Sequence, residues 1–320
     1  MPVCYVALSD RVLAVRDDWL ATESLTGTSP ACLAVHPDNP ARALCGTDDG
    51  LHETADGGAT WTEVRTFEGF SVTAVAYGAD GTAWAGTEPS HVYRRRGDEP
   101  WTECPGFRDL GSRRDWSFPP RPDTHHVRWL EPDATDPERV YVAVEAGALV
   151  HTPDGGETWE DRAPDGPRDA HEVATHPDAP ERVYAAAGDG YAESANANRS
   201  WEWLESGLDR TYCWSVAVDP GDPDRRVVAA AAGPDAAHRN GGAAVFTRDD
   251  GDWERASGLP AAGDLLAPAL AAVDDEQFLA ATNRGLYEST DGGASWSTRP
   301  VSWPSDADTR VRGLAVAPDE

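Results

Sequence analysis

Two columns of residues carry most of the chemistry this chain could do. Counting back six positions from a recurring Pro-type turn gives Ala31, His126, His171, Trp214 and Arg312, and the equivalent positions of the second and sixth repeats, which lack the Pro, are Val72 and Pro268. Two positions earlier stand Ser29, Phe70, Thr124, Asp169, Tyr212, Leu266 and Arg310. Residues two apart on a strand point to the same side, so both columns face one way. The third, fourth, fifth and seventh repeats supply imidazole, indole, guanidinium, carboxylate and phenol. The other repeats supply small or apolar groups. That lopsided set suits a pocket. Arginine can grip an anion through paired N–H groups, Trp offers a stacking face, and His and carboxylates can move protons.

Two insertions enrich the same side. The longer runs from Phe107 to His126 and includes Arg121, Asp123 and His125. Long loops on a scaffold are usually functional or disordered; the Trp, Phe and Pro anchors here read as an ordered lid. The shorter, 233–242, carries His238. Glu145 and Asp189 stand in turns expected on the same face. The expected ligand-binding set is Arg121, Asp123, His125, His126, Glu145, His171, Tyr212, Trp214, His238, Arg310 and Arg312. A two-carboxylate hydrolase needs acids roughly 5 to 9 Å apart. Candidates are Asp123, Asp169, Glu172, Glu145 and Asp189, and Tyr212 with Glu172 is a conceivable nucleophile pair. No metal or cofactor is expected. His125 or His126, His171 and His238, with Glu145 or Asp189, are the set that could meet over an ion, but no short ligand spacing supports it.

The elements that position these residues form a repeat. Thr54-Ala-Asp56-Gly57-Gly58-Ala-Thr60-Trp61 recurs as Thr152-Pro-Asp154-Gly155-Gly156-Glu-Thr158-Trp159 and Ser289-Thr-Asp291-Gly292-Gly293-Ala-Ser295-Trp296. Degenerate copies end at Trp101, Trp201 and Trp253. Gly supplies positive φ, the Asp side chain accepts turn amides, and the Trp opens the next strand. The Asp is thus a folding device and not a catalyst. Each repeat reads as an inner strand A, strands B and C, the octapeptide turn, and an outer strand D. Six such turns suggest six repeats. Yet Val311 to Pro318 is a further strand A with no successor. Three strands before Glu23 read as B, C and D without an A. Joined, they complete a seventh repeat and remove exposed sheet edges. The expected architecture is all-β: a seven-bladed β-propeller of four-stranded antiparallel blades. Residues 1–320 form one domain, with the last blade shared by about 1–26 and 308–320.

The octapeptide is the Asp box, and the chain resembles the BNR/Asp-box propellers. That group includes sialidases, xyloglucan-cleaving hydrolases, sortilin-type receptors and a photosystem assembly factor. The span Pro120 to Trp129 resembles a stretch of cytosolic prokaryotic propellers labelled glycosyl hydrolases. Fold does not carry function across the group. A sialidase would need a Phe/Tyr-Arg-Ile-Pro motif, and this chain contains no Ile.

Composition narrows the partners. All 27 basic residues are Arg against 56 acids, a formal charge of −29. Acids spread along the whole chain fit a surface hydrated in high salt, resembling a haloarchaeal protein. They argue against nucleic acid, whose phosphates need a basic face. Five Cys without paired spacing read as small buried hydrophobes. No signal peptide or membrane span is visible, so a cytoplasmic location is expected. Three functions stay open: a binder of a small molecule, glycan or peptide at the central funnel, a glycoside-hydrolase-like enzyme, and a protein-assembly scaffold.

Overall fold

The computed structural model describes residues 2–304 and 310–317. Seven antiparallel sheets form a ring, the expected seven-bladed propeller. Blades 1 and 2 have inner strands Pro30–His36 and Ser71–Tyr77, and blades 3 and 4 have Val127–Pro132 and Ala170–Thr175. Blades 5 and 6 follow with Tyr212–Asp219 and Ala269–Asp274. In blade 3 the outer strand shrinks to one bridge, His151 to Glu160.

Blade 7 is built from both ends of the described chain. Its inner strand Val311–Val316 pairs antiparallel with Pro2–Leu8, from Cys4 opposite Val316 to Leu8 opposite Val311. Val12–Arg16 and Ala21–Ser24 complete it. The Pro318–Asp319 turn lies outside the described residues.

The octapeptide turns behave as their chemistry dictates. Asp56 accepts hydrogen bonds from the Thr60 amide at 2.9 Å, the Thr60 hydroxyl at 2.6 Å and the Thr54 hydroxyl at 2.8 Å. The Thr54 oxygen in turn accepts the Gly58 amide. Asp154 and Asp291 repeat the pattern. Asn196 substitutes in blade 4, accepting the Ser200 amide. Gly156 has φ +91, and a Cβ there would stand 2.6 Å from Cys104 Sγ in the preceding blade. The turn therefore serves blade-to-blade packing as well as chain reversal.

Six inner strands carry a bulge near their start. Two residues then oppose one on strand B. The shifts fall at Pro30/Cys32, Val72/Ala74, Val127/Trp129, Ala170/Glu172, Cys213/Ser215 and, in blade 7, Val311/Gly313. The bulged residues are Ala31, Thr73, Arg128, His171, Trp214 and Arg312. Strand B keeps small residues beside them: Gly46, Gly86, Ala143, Ala186 and Ala229. A Cβ on Gly86 would lie 2.4 Å from Val127 Cγ1 of the next blade. Small residues thus let the inner strands close around the axis.

Candidate functional site

A cavity of about 430 Å³ opens at one end of the axis. Its walls come from the starts of inner strands and from the turns joining strands B and C. Ser29, Ala31, Ser71, Thr73, Arg128, Trp214, Arg310 and Arg312 belong to the first group. Ser9, Asp48, Glu145 and Asn283 belong to the second, with Glu88 closing strand B of blade 2. The two insertions add Phe118 and Arg121, then Ala237 and His238.

The bulges explain which groups reach the cavity. In blade 3 the residue on the axis is Arg128, two positions beyond His126. Counting from Pro132 misses this because Pro132 lies inside the strand, opposite Val140. Pro37, Pro177 and Pro220 lie in turns after their strands. In blade 2 the bulged residue is Thr73 and not Val72. Arg128, Thr73, Glu88, Asp48 and Asn283 are therefore cavity residues that spacing alone does not find. Glu88 belongs to a strand end far from the counted columns, and no local signal marks it.

Arg128 is the centre of the arrangement. Its guanidinium lies 4.4 Å over the Trp214 ring. Its Nε is buried with no hydrogen-bond partner and stands 3.6 Å from Glu145 Oε2. Glu145 meets His126 Nε2 at 2.9 Å. Burial pushes the Glu145 carboxyl up, but the His126 bond and Arg128 overcome it and hold it at about 2. Glu145 is thus a carboxylate. His126 is 7% exposed, and its other nitrogen lies 4.0 Å from Glu88 Oε2. Glu88 pairs at 2.7 Å with Arg121.

Beside Trp214 lies an imidazole–phenol cluster. His171 is fully buried and packs on Trp214 at 4.6 Å. Its Nδ1 donates to the Cys213 carbonyl at 2.7 Å. The Tyr212 hydroxyl sits 3.3 Å from His171 Nε2 and 3.5 Å from His238 Nε2. Burial, then Arg128, lowers His238 to about 4, so it is neutral near pH 7. Burial also lowers the pKa of His171. Asp169 is half-buried, with Oδ2 3.7 Å from His171 Nε2 and Oδ1 accepting the Ala146 amide at 2.7 Å.

Other sequence candidates stand apart from the cavity lining. Asp123 is exposed on the long loop. His125 packs edge-on against Trp116, and burial lowers it to about 4. Asp189 accepts the Arg168 and Asp169 amides, a structural task. Burial raises Glu172 to about 8, but it hydrogen-bonds Ser215 and not Tyr212. The long loop itself is tied down by Phe107 and Trp116, both buried.

No family model matches the chain, and no curated protein sequence matches it. Solved structures do. YCF48 bound to D1 peptide is 18% identical, with a TM-score of 0.60 over 85% of this chain and 81% of that one. YCF48 from Cyanidioschyzon merolae is 15% identical, with a TM-score of 0.60 over 89% and 87%. A GH74 enzyme from Niastella koreensis is 17% identical, with a TM-score of 0.53 over 92% of this chain but 43% of that one. The likeness is one of fold. No helix among the described residues is long and apolar enough to cross a membrane.

Proposed function

We propose that this chain is a binding propeller whose axial cavity takes a carboxylate-bearing small molecule or peptide end. The observation that carries the reading is the local reversal of charge. Among the described residues, four arginines, Arg121, Arg128, Arg310 and Arg312, face the cavity against three carboxylates, Asp48, Glu88 and Glu145. The chain as a whole has 27 basic residues against 56 acids. A cationic concavity in an acidic surface focuses potential and draws anions selectively. Trp214 and Phe118 add stacking faces for the rest of the ligand. A propeller similar in fold holds a peptide, YCF48 with D1 peptide.

Hydrolysis is the second reading, because Glu88 and Glu145 flank His126 on the cavity wall. A hydrolase acid must keep its proton near neutrality. Glu145 is held near 2. The carboxyls raised by burial, Glu131, Glu172 and Asp169, lie off the cavity lining. Binding is therefore favoured over cleavage.

The test uses short peptides with free or amidated C-termini, and a set of dicarboxylates, titrated calorimetrically in dilute and molar KCl. Free carboxylates should bind at least tenfold more tightly than their amides. Arg128→Gln should abolish that preference while leaving the fold intact by circular dichroism. Equal binding of acids and amides, or an unchanged Arg128→Gln variant, would overturn the reading.

A further inference from the structure

We propose that Glu145, Asp169 and His171 bind one divalent cation of the zinc or manganese class in the wall between blades 3 and 4. The donor atoms of these three side chains all lie within 4.8 Å of one another. They come from the B–C turn of blade 3 and the start of blade 4, two rigid positions locked by pairing.

The hydrogen bonds around the cluster already orient its donors. The Cys213 carbonyl can only accept, so His171 Nδ1 carries the proton. The Nε2 lone pair of the neutral ring then points at the carboxylates. An imidazole fixed by a backbone carbonyl on its far nitrogen is the usual outer support of a metal-ligating histidine. Asp169 is held likewise: Oδ1 takes the Ala146 amide, which leaves Oδ2 toward His171. Their separation of 3.7 Å is too long for a hydrogen bond. It is close to the spacing of two ligands on one ion with bonds of about 2.1 Å. Closing the triangle onto such an ion needs movements of about half an ångström.

The alternatives for these atoms are weaker. Two carboxylates this close repel, and a cation is the simplest counter-charge that serves both. Tyr212 can leave His171 Nε2 by turning its hydroxyl to His238, 3.5 Å away. His126 meets Glu145 Oε2 at 2.9 Å and Arg128 Nε stands 3.6 Å from the same oxygen, so both would hold the carboxylate as outer partners while Oε1 serves the ion. One nitrogen and two oxygens favour a borderline or oxygen-tolerant metal over a thiophilic one. Three protein ligands leave open positions, and Glu145 lies on the cavity wall. The ion would thus be reachable from the cavity.

The experiment titrates the whole chain with Zn²⁺ and with Mn²⁺, without any organic ligand. Excess Mg²⁺ and KCl saturate the acidic surface. Isothermal titration and metal analysis after gel filtration should report one equivalent. Asp169→Asn keeps the acceptor for the Ala146 amide, and should weaken binding at least tenfold. His171→Ala should abolish it, though its burial makes Asp169→Asn the decisive variant. Asp123→Asn, exposed on the loop, should bind like the parent. Absence of a saturable equivalent would overturn the proposal, and so would a folded Asp169→Asn that binds normally. Because no carboxylate ligand is present, failure here leaves the anion-binding reading standing, and failure of that reading leaves the metal result intact.

Discussion

The guanidinium of Arg128 lies 4.4 Å over the ring of Trp214, although the two residues belong to blades 3 and 5. Arg128 reaches across blade 4, whose His171 is buried against the same indole. Three blades are thereby tied at the floor of the cavity.

Trp214→Leu removes that platform. A cation–π contact contributes about 0.5 to 2 kcal/mol according to its exposure. The variant should lose about tenfold in affinity for free-carboxylate peptides. A double-mutant cycle with Arg128→Gln should give a coupling of about 1 kcal/mol, read from calorimetric titrations. Additive effects would show that the two side chains act separately.

Glu131 gives a pH dependence with a defined sign. Burial pushes its carboxyl up to about 8, against bonds from Trp129 and Thr175 that pull it down. The folded state then holds this proton more tightly than the unfolded state, whose value is near 4.5. Its contribution is complete below about 4.5 and is lost as pH rises through about 8. Glu131→Gln cannot lose the proton. Its melting temperature should match the parent at pH 4.5 and exceed it by a few degrees at pH 8.5. A constant difference across that window would contradict the assignment.

Two glycines separate backbone strain from packing. Gly97 has φ +54 with open space around it, whereas Gly156 has φ +91 and Cys104 in the way. Alanine at either position pays for left-handed backbone, about 1 to 2 kcal/mol. Only at position 156 must the neighbouring blade also move, adding about 1 to 3 kcal/mol. Gly156→Ala should lower the melting temperature at least twice as far as Gly97→Ala, measured by calorimetry.

Removing residues 310–320 deletes the inner strand of blade 7. The edge of Pro2–Leu8 is then bare, and Arg310 and Arg312 leave the cavity. The truncated chain should lose its cooperative melting transition and bind a hydrophobic dye. A synthetic peptide spanning 310–317 should restore part of the transition by strand addition. An unchanged melt without the peptide would show that closure matters little.

The architecture was legible because its signal is local and repeated. An Asp or Asn fixes four of the six octapeptide turns by its own hydrogen bonds, whatever the surroundings. The orphan strands at the two ends were equally readable, since pairing must satisfy both edges. The site was legible in part. Trp214 and His171 emerged from spacing because Pro220 and Pro177 lie in comparable turns after their strands, and the same count gave Arg312. Arg128 did not, because Pro132 looks like a turn proline yet lies within a strand. A bulge adds one residue and leaves no mark in hydrophobic alternation, so spacing cannot say which of two neighbours reaches the axis. Glu88 was illegible for another reason: its partnership with Arg121 and His126 spans separate blades.

Blade 7 also imposes an order on the protein's birth. The strands that need Val311–Val316 as their partner are made first, and that partner leaves the ribosome long afterwards. Until then the nascent chain is an open arc with a bare edge, and two of the cavity's four arginines do not yet exist. On the anion-binding reading proposed above, a nascent chain that still lacks this strand should capture the ligand poorly, because Arg310 and Arg312 are missing from the wall.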